Sequence, residues 1–356
     1  MDDLEKRMLK EVAELDSLPV GAFNIRSNGK SEARNSTANI QIESRESGDG
    51  INVYFKDGTK NESCHIPVII SMSGHKECVY NDFFVGSDCD VTIIAGCGIS
   101  NCGGHDSQHD GIHTFHIGKN SKVKYIEKHY GEGTGTGKRF MNPTTVVYLE
   151  DGATMDMDTS QIAGINDTYR ITKAELGPNS TLIMHDKILT NFDQTAKAEI
   201  TVDLNGDGSV CDIVSRGVAK GESEQDVIID ISGNAVCKGH AECDSIIMDK
   251  GVIVATPKLK ATCVDASLIH EAAIGKIAGE QITKLMTLGL NEQEAEQKII
   301  EGFFREGTGK AGLPALTERS AGLCYFFVLF GGEKYTNPLF LRPAVKRIFE
   351  PRKRFC

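Results

Sequence analysis

Cysteine and histidine are the side chains best suited to hold borderline and soft metals, zinc and iron among them. They gather most densely in CGISNCGGHDSQHDGIHTFH, which carries Cys97, Cys102, His105, His109, His113 and His116. Glycines at 98, 103, 104 and 111 would let the backbone bend around a site. The C-x4-C-x2-H spacing matches no defined zinc module, so a hydrogen-bonded or solvated loop stands beside the metal or sulfur reading. In IHTFHIG, a strand by composition, His113 and His116 would point to opposite faces. A second group comprises Cys237, His240 and Cys243 in CKGHAECDS, then Cys263, then His270 and Glu271. A thiol beside an imidazole and a carboxylate would bind a transition metal, or have its pKa lowered. The bland alternative makes Cys243 a buried small residue and His270-Glu271 a helix cap.

Other motifs resemble chemistry and fail on a required residue. GEGTGTGKR (131–139) has Glu132 where a phosphate loop needs its first glycine, and Arg139 where it needs Ser or Thr. EGTGKAG (306–312) fails likewise, with Phe304 and Ala311 in those places, so no ATP hydrolysis is expected of the chain itself. DLNGDG (203–208) begins like a calcium loop, but its twelfth position is Val214 rather than the bidentate Glu. It reads as a turn.

These residues are carried by a chain of short strand signals from about Ile51 to Leu268. VTIIAG (91–96), VKYIEKH (123–129), TTVVYLE (144–150), TLIMHDK (181–187), AEITVDL (198–204) and VIIDISG (227–233) are rich in Val, Ile, Thr and Tyr. Between them recurs a turn of Asn, Asp or Gly, then a small residue, then an apolar one. The small residues are Ser121, Ala153, Ser180, Ser209 and Ala235, so the period stays near 26–32 residues. Strand-only repeats of that length predict coils of a β-solenoid, because each unit buries its inner face only by stacking on its neighbours. A β-sandwich would turn every 8–12 residues or so. Cys243 and His270 are 27 residues apart, close to one coil, which would make them neighbours.

Helical signals flank the strands. Leu4, Met8, Val12 and Leu15 predict an amphipathic helix over residues 1–16. Gly21 to Gly48 is polar and reads as a linker or irregular cover. Beyond His270, Ile274, Ile277, Ile282, Leu285 and Met286 fall at helical spacing, with Gly289 as C-cap. Asn291 and Glu294 then form a capping arrangement for a second helix through Ala295, Ile299, Ile300 and Phe303. The expected division is an N-terminal helix and linker (1–50), a solenoid core (51–268), a helical domain (269–304) and a basic tail (305–356).

Composition narrows the function. The 356 residues carry a net charge of −11, split into −17 over residues 1–304 and +6 over residues 305–356. An acidic body argues against non-specific nucleic-acid binding. No run approaches the roughly 18 apolar residues of a membrane span, and MDDLEKRMLKEV lacks the zones of a secretory signal. A cytoplasmic protein outside the membrane is expected. Eleven cysteines in a reducing compartment are thiols rather than disulfides. There is no Trp, and 15 Phe and 8 Tyr are few rings for a compact globule, which suits stacked strands.

SRGVAKG (215–221), GHAECDSIIMD (239–249) and LIHEAAIGKIAGEQITKLMTLGLNEQEAEQKIIEGF (268–303) closely resemble the SufB/SufD family of iron–sulfur cluster assembly scaffolds, over roughly residues 85–304. The resemblance implies a mainly β fold, a parallel right-handed β-helix core with an N-terminal helix and a C-terminal helical hairpin. It implies a non-catalytic scaffold that assembles and transfers a transient iron–sulfur cluster. Partners implied are a SufC-like ABC ATPase docking on residues 269–304, a second copy or a SufB/SufD-type heterodimer mate, and a sulfur-donating desulfurase system. A reduced flavin in the complex is a further expectation. Cys243 falls on the family cysteine that receives sulfur and ligates the cluster, and His270 and Glu271 on its interface His-Glu pair, which makes the chain SufB-like. It departs from the family at YIEKH, where His129 replaces a cysteine at the position of sulfur arrival. Cys97 or Cys102 would substitute, or sulfur would reach Cys243 directly. His105 and Cys263 complete the accessory metal or sulfur candidates. A solenoid hydrolase or lyase for an acidic carbohydrate, using Glu150, Asp151, Asp156 and Asp158, is the alternative from another class.

Overall fold

The computed structural model describes residues 3–305. Strands whose alternate residues are apolar stack in parallel register into a β-solenoid of about eight turns. One sheet runs through Ala22–Ser27, Lys60–Ile70, Asp90–Ser100, Lys122–Glu132, Thr154–Ala163, Thr181–Thr190, Val210–Ala219, Lys238–Ile247 and Ser267–Gly275, with Lys30–Asn35 antiparallel at its first edge. The opposite sheet begins with the antiparallel pair Ile40–Ser44 and Gly50–Phe55 and ends at Val252–Ala261. Each strand is buried on alternate residues, as in Thr181–Thr190 and Thr195–Leu204, so one face of each sheet lines the interior.

The repeat comes from a corner that small residues make affordable. Cys89, Ser121, Ala153, Ser180, Ser209 and Cys237 precede equivalent strand positions of successive coils and are all buried. The sixth is Cys237 rather than Ala235, because the register pairs Val210 with Lys238. The residue before the corner is Asp88, Asn120, Gly152, Asn179 or Gly208, each at positive φ. Only Gly, and Asn or Asp at modest cost, adopt that conformation readily.

The stretch from Gly21 to Gly48 is not an irregular cover. It forms the strands Ala22–Ser27, Lys30–Asn35 and Ile40–Ser44. Its polarity reflects edge strands with exposed faces, Lys30–Asn35 being exposed almost throughout.

Helix α1 (Asp3–Ala13) buries Met8, Leu9, Val12 and Ala13 against Phe23, Ile25 and Ile69. Its contact depends on Gly96 and Gly98. A Cβ at Gly98 would stand 2.7 Å from Met8 Cε, and one at Gly96 would overlap the Val12 carbonyl.

At the other end the strand Ser267–Gly275 takes in Ile274, and helix begins only at α2 (Gly279–Met286). Period alone could not separate strand from helix over that short apolar stretch. Gly289 follows at φ +97°. Before α3 (Glu292–Arg305), the Asn291 side chain accepts from the Glu294 amide at 2.9 Å, and the Glu294 carboxylate accepts from the Asn291 amide at 2.8 Å. The capping arrangement is formed as expected. The described chain makes two compact units, residues 3–277 with 296–305, and residues 278–295. The basic tail lies outside the described residues.

Replacing Gly96 by Ala should displace α1 and lower unfolding free energy by about 1–3 kcal/mol. Denaturant unfolding, with limited proteolysis of residues 3–13, measures both effects; an unchanged midpoint with α1 still protected would reject the close-approach account.

Candidate functional site

Parallel register converts sequence into straight files of side chains along the interior. One file is apolar: Cys64, Ile93, Tyr125, Met157, Met184, Ile213 and Ala241, ending at His270. The adjacent file is polar: Glu127, Thr159, Asp186, Ser215 and Cys243, ending at Ala272. At about 4.8 Å per coil, it joins Glu127 to Cys243 over roughly 19 Å.

Cys243 is 3% exposed and sits in the last coil that is covered on both sides. The expectation that the 27-residue spacing makes His270 its direct neighbour is corrected by the register, where the coil step is 29 and Cys243 pairs with Ala272. His270 pairs with Ala241, so the two are diagonal neighbours on the same inner face, about 8 Å apart on strand geometry. Both His270 ring nitrogens lack a hydrogen-bond partner among the described residues. Glu271 pairs with Glu242 on the other face and is exposed.

The thiol chemistry is also reversed from expectation. Burial pushes the Cys243 thiol up to about 12, and the carboxylates of Asp244, Asp186 and Glu242 reinforce it. Burial lowers the His270 pKa, with His240 adding to it, so its imidazole is held neutral and able to donate a lone pair. Asp244 is raised to about 7 by burial and by its hydrogen bond with Glu242. Outside this rung, Arg216 donates to the Phe303 carbonyl of α3 at 2.5 Å and lies 5.4 Å over its ring. Lys220 pairs with Glu296 at 2.8 Å. Those contacts tie α3, at Glu296 and Phe303, to the strand next to Cys243.

The first Cys/His group divides. Cys102 and His105 are exposed on the connecting loop, and Cys263 is half-buried in a turn. His113 points inward and His116 outward, as the strand reading required. His116 stacks between Phe84 and Tyr148, with 5.1 Å between centroids on each side, beside a surface cleft of about 300 Å³. Cys97 and His129 pair in register inside the solenoid, both buried. Burial opposes charge on the Cys97 thiol, but the imidazoles of His109 and His129 hydrogen-bond it and hold its pKa below the ordinary value. Burial likewise opposes a proton on His109, yet Cys97 and Glu77 raise it to about 10. Burial is also opposed at Glu127, which His129, His113 and Arg170 hold well below the usual carboxylate range.

The polar file was missed in the sequence because its members are ordinary residues one coil apart. Their alignment is visible only with the register. It is held by an Arg170–Asp186 ion pair of 2.9 Å and a Thr159 hydroxyl donating to Asp186 at 2.6 Å. Of the carboxylates proposed for sugar chemistry, Asp158 is engaged by Lys187 at 2.8 Å.

Residues 83–303 match the family described as "SUF system FeS cluster assembly, SufBD core domain". An iron-sulfur cluster assembly SufBD family protein of Archaeoglobus fulgidus is 29% identical over 260 residues, spanning 71% of this chain and 68% of the relative. One from Methanothermobacter thermautotrophicus strain Winter is 28% identical over 236 residues, 64% of this chain and 55% of the relative. One from Methanocaldococcus jannaschii is 28% identical over 225 residues, 63% of this chain and 70% of the relative. The chain thus spans little more than half of the Methanothermobacter relative.

Two predictions follow from these environments. Arg170→Met should cost about 3–5 kcal/mol, because it strands the Asp186 charge in the interior; a denaturation midpoint near that of the parent chain would contradict it. Alkylation of Cys243 in the folded chain at pH 8 should be slower than at exposed Cys78 and Cys102 by on the order of a thousandfold, and should rise with pH toward 12. Peptide mass spectrometry over a pH series reads it; early labelling of Cys243 at neutral pH would refute the raised pKa.

Proposed function

We propose, from the premise that this chain belongs to the SufBD family of SUF-system iron–sulfur cluster assembly proteins, that it is a SufB-like scaffold on which a cluster is built and handed on. The observation that carries this reading is the inner face at the end of the solenoid, where the buried Cys243 thiol and the unpartnered His270 imidazole lie together. Thiolate and imidazole are ligands that iron–sulfur chemistry accepts.

Cys243 takes up sulfur and then ligates the growing cluster. His270 supplies nitrogen beside it, and Glu271 a carboxylate from the same terminal strand. Two features favour completion of this site by a second SufBD-type chain, identical or not. The strands Ser267–Gly275 and Val252–Ala261 are the terminal members of the two sheets, and exposed sheet edges are suited to pairing. Opening or closing that pairing would expose or cover the ligands. In the lone chain the thiol is protonated, so ligation requires incoming iron to displace that proton to solvent. A SufC-like ATPase acting on residues 269–304 supplies the movement, and the Arg216–Phe303 and Lys220–Glu296 contacts give α3 a grip on the coil beside Cys243. A desulfurase system supplies the sulfur, and the working compartment is the cytoplasm.

Anaerobic reconstitution with ferrous iron and sulfide, with and without the ATPase partner, tests the reading through visible absorption and iron count. Cluster bands should appear in the parent chain, vanish in Cys243→Ser and weaken in His270→Ala. Bands indifferent to Cys243, or no cluster even with the partner present, would overturn it.

A further inference from the structure

Cys97, His109, His113 and His129 meet inside the solenoid five coils from Cys243, roughly 24 Å away at the coil spacing. The cluster site proposed at Cys243 and His270 does not use them. The four side chains are 4%, 2%, 3% and 1% exposed. Cys97 and His129 come from neighbouring coils of one sheet, while His109 and His113 lie four residues apart on one strand of the opposite sheet, with inward Gly111 between them.

The rings are held as metal ligands are held. His109 Nδ1 lies 3.0 Å from a Glu77 carboxylate oxygen, and Arg26 anchors that carboxylate at 3.3 Å. His113 Nδ1 lies 2.7 Å from the Tyr125 hydroxyl. His129 Nε2 lies 3.4 Å from Glu127. A partner on one imidazole nitrogen fixes the ring and its tautomer and leaves the other nitrogen's lone pair for a cation.

The remaining nitrogens have room. His129 Nδ1 is buried without a hydrogen-bond partner among the described residues. His109 Nε2 and His113 Nε2 both stand 3.3 Å from the point that a Cβ on Gly111 would occupy. The missing side chain therefore leaves a space onto which two imidazoles converge, and Cys97 stands in register with His129 on the facing sheet. Among the described residues no three such donors are already closed around one centre, so capture of an ion must draw them inward.

We propose that Cys97, His109 and His129, with His113 beside them, form a binding site for one divalent transition cation of the zinc or ferrous type. One thiolate and imidazole nitrogens suit such an ion and disfavour magnesium or calcium, which take oxygen ligands. Binding releases to solvent the proton that Cys97 and His109 hold between them, and any proton on His129, and forms one sulfur–metal bond and two or three nitrogen–metal bonds, with no change of oxidation state. The site stands apart from Cys243 and holds whether or not the chain is a cluster scaffold.

The test titrates the chelator-treated, full-length chain anaerobically with Co²⁺, a spectroscopic probe for both ions. One Co²⁺ per chain should bind, with intense visible ligand-field bands and a near-ultraviolet sulfur-to-cobalt band. Cys97→Ser should lose the sulfur-to-cobalt band. Gly111→Ala keeps every donor but fills the space between the imidazoles, and should weaken binding at least tenfold. Glu77→Gln should weaken it about 10–100-fold. Cys243→Ser should leave all of these readings unchanged, which separates this site from the scaffold reading. Circular dichroism establishes that each variant is folded. Failure of the parent chain to retain Co²⁺, persistence of the sulfur band in Cys97→Ser, or parent-like affinity in folded Gly111→Ala would show that the cluster is a hydrogen-bonded core network instead.

Discussion

Parallel strand register is the constraint on which everything else in this protein depends. Each coil hydrogen-bonds to the next residue by residue, so every inward position repeats as a file along the axis. A slip of one residue would turn an entire inner face outward. The corner residues enforce the phase: a small buried side chain preceded by a residue at positive φ sets where each strand begins. With phase fixed, chemistry can be spread over residues almost 30 positions apart and still be contiguous.

That arrangement explains how a solenoid tolerates charge in its interior. Asp186 is met by Arg170 and Thr159, and Glu127 by His113 and His129. Each charged group finds its partner on a neighbouring coil or across the core, as a buried charge requires. Where the solenoid stops, the partners stop too. His270 ends an apolar file with both nitrogens unpartnered, and Cys243 lies one coil inside. An unfinished end of this kind is chemically available, whereas the Asp186 and Glu127 carboxylates of the middle coils each have charged or polar partners. The burial and acidic surroundings that keep the Cys243 thiol protonated would protect it until iron or a partner chain changes its environment.

The two cysteine environments show that neighbours decide whether burial prevails over a thiol. Cys243 and Cys97 are both buried, yet burial, reinforced by acidic groups, raises the first, while imidazoles outweigh burial and lower the second. Neither direction was legible in the sequence. His270 was expected to act on Cys243 and is displaced from it by two residues of register, whereas His109 and His129, one in the same Cys/His-rich segment and one 32 residues away, are the groups that act on Cys97.

The sequence by itself determined the architecture class, the approximate coil length, the helices at either end and the Asn291–Glu294 cap, because each rests on local pattern: alternation, turn chemistry and helical spacing. It also pointed to Cys97, Cys243 and His270 as residues worth following. It misread Gly21–Gly48, where edge strands with solvent on one side look like linker, and it placed the turn at Ala235 instead of Cys237. Only the tertiary structure decided which residues share a file, since a period that varies between 27 and 32 cannot predict a register to the single residue. The polar path from Glu127 to Cys243, the offset of His270 from Cys243 and the placing of Cys97 beside His129 all arise from that register. Corner residues set the phase of each strand locally, but hydrogen bonding between coils, a contact between distant parts of the chain, fixes the register to the single residue.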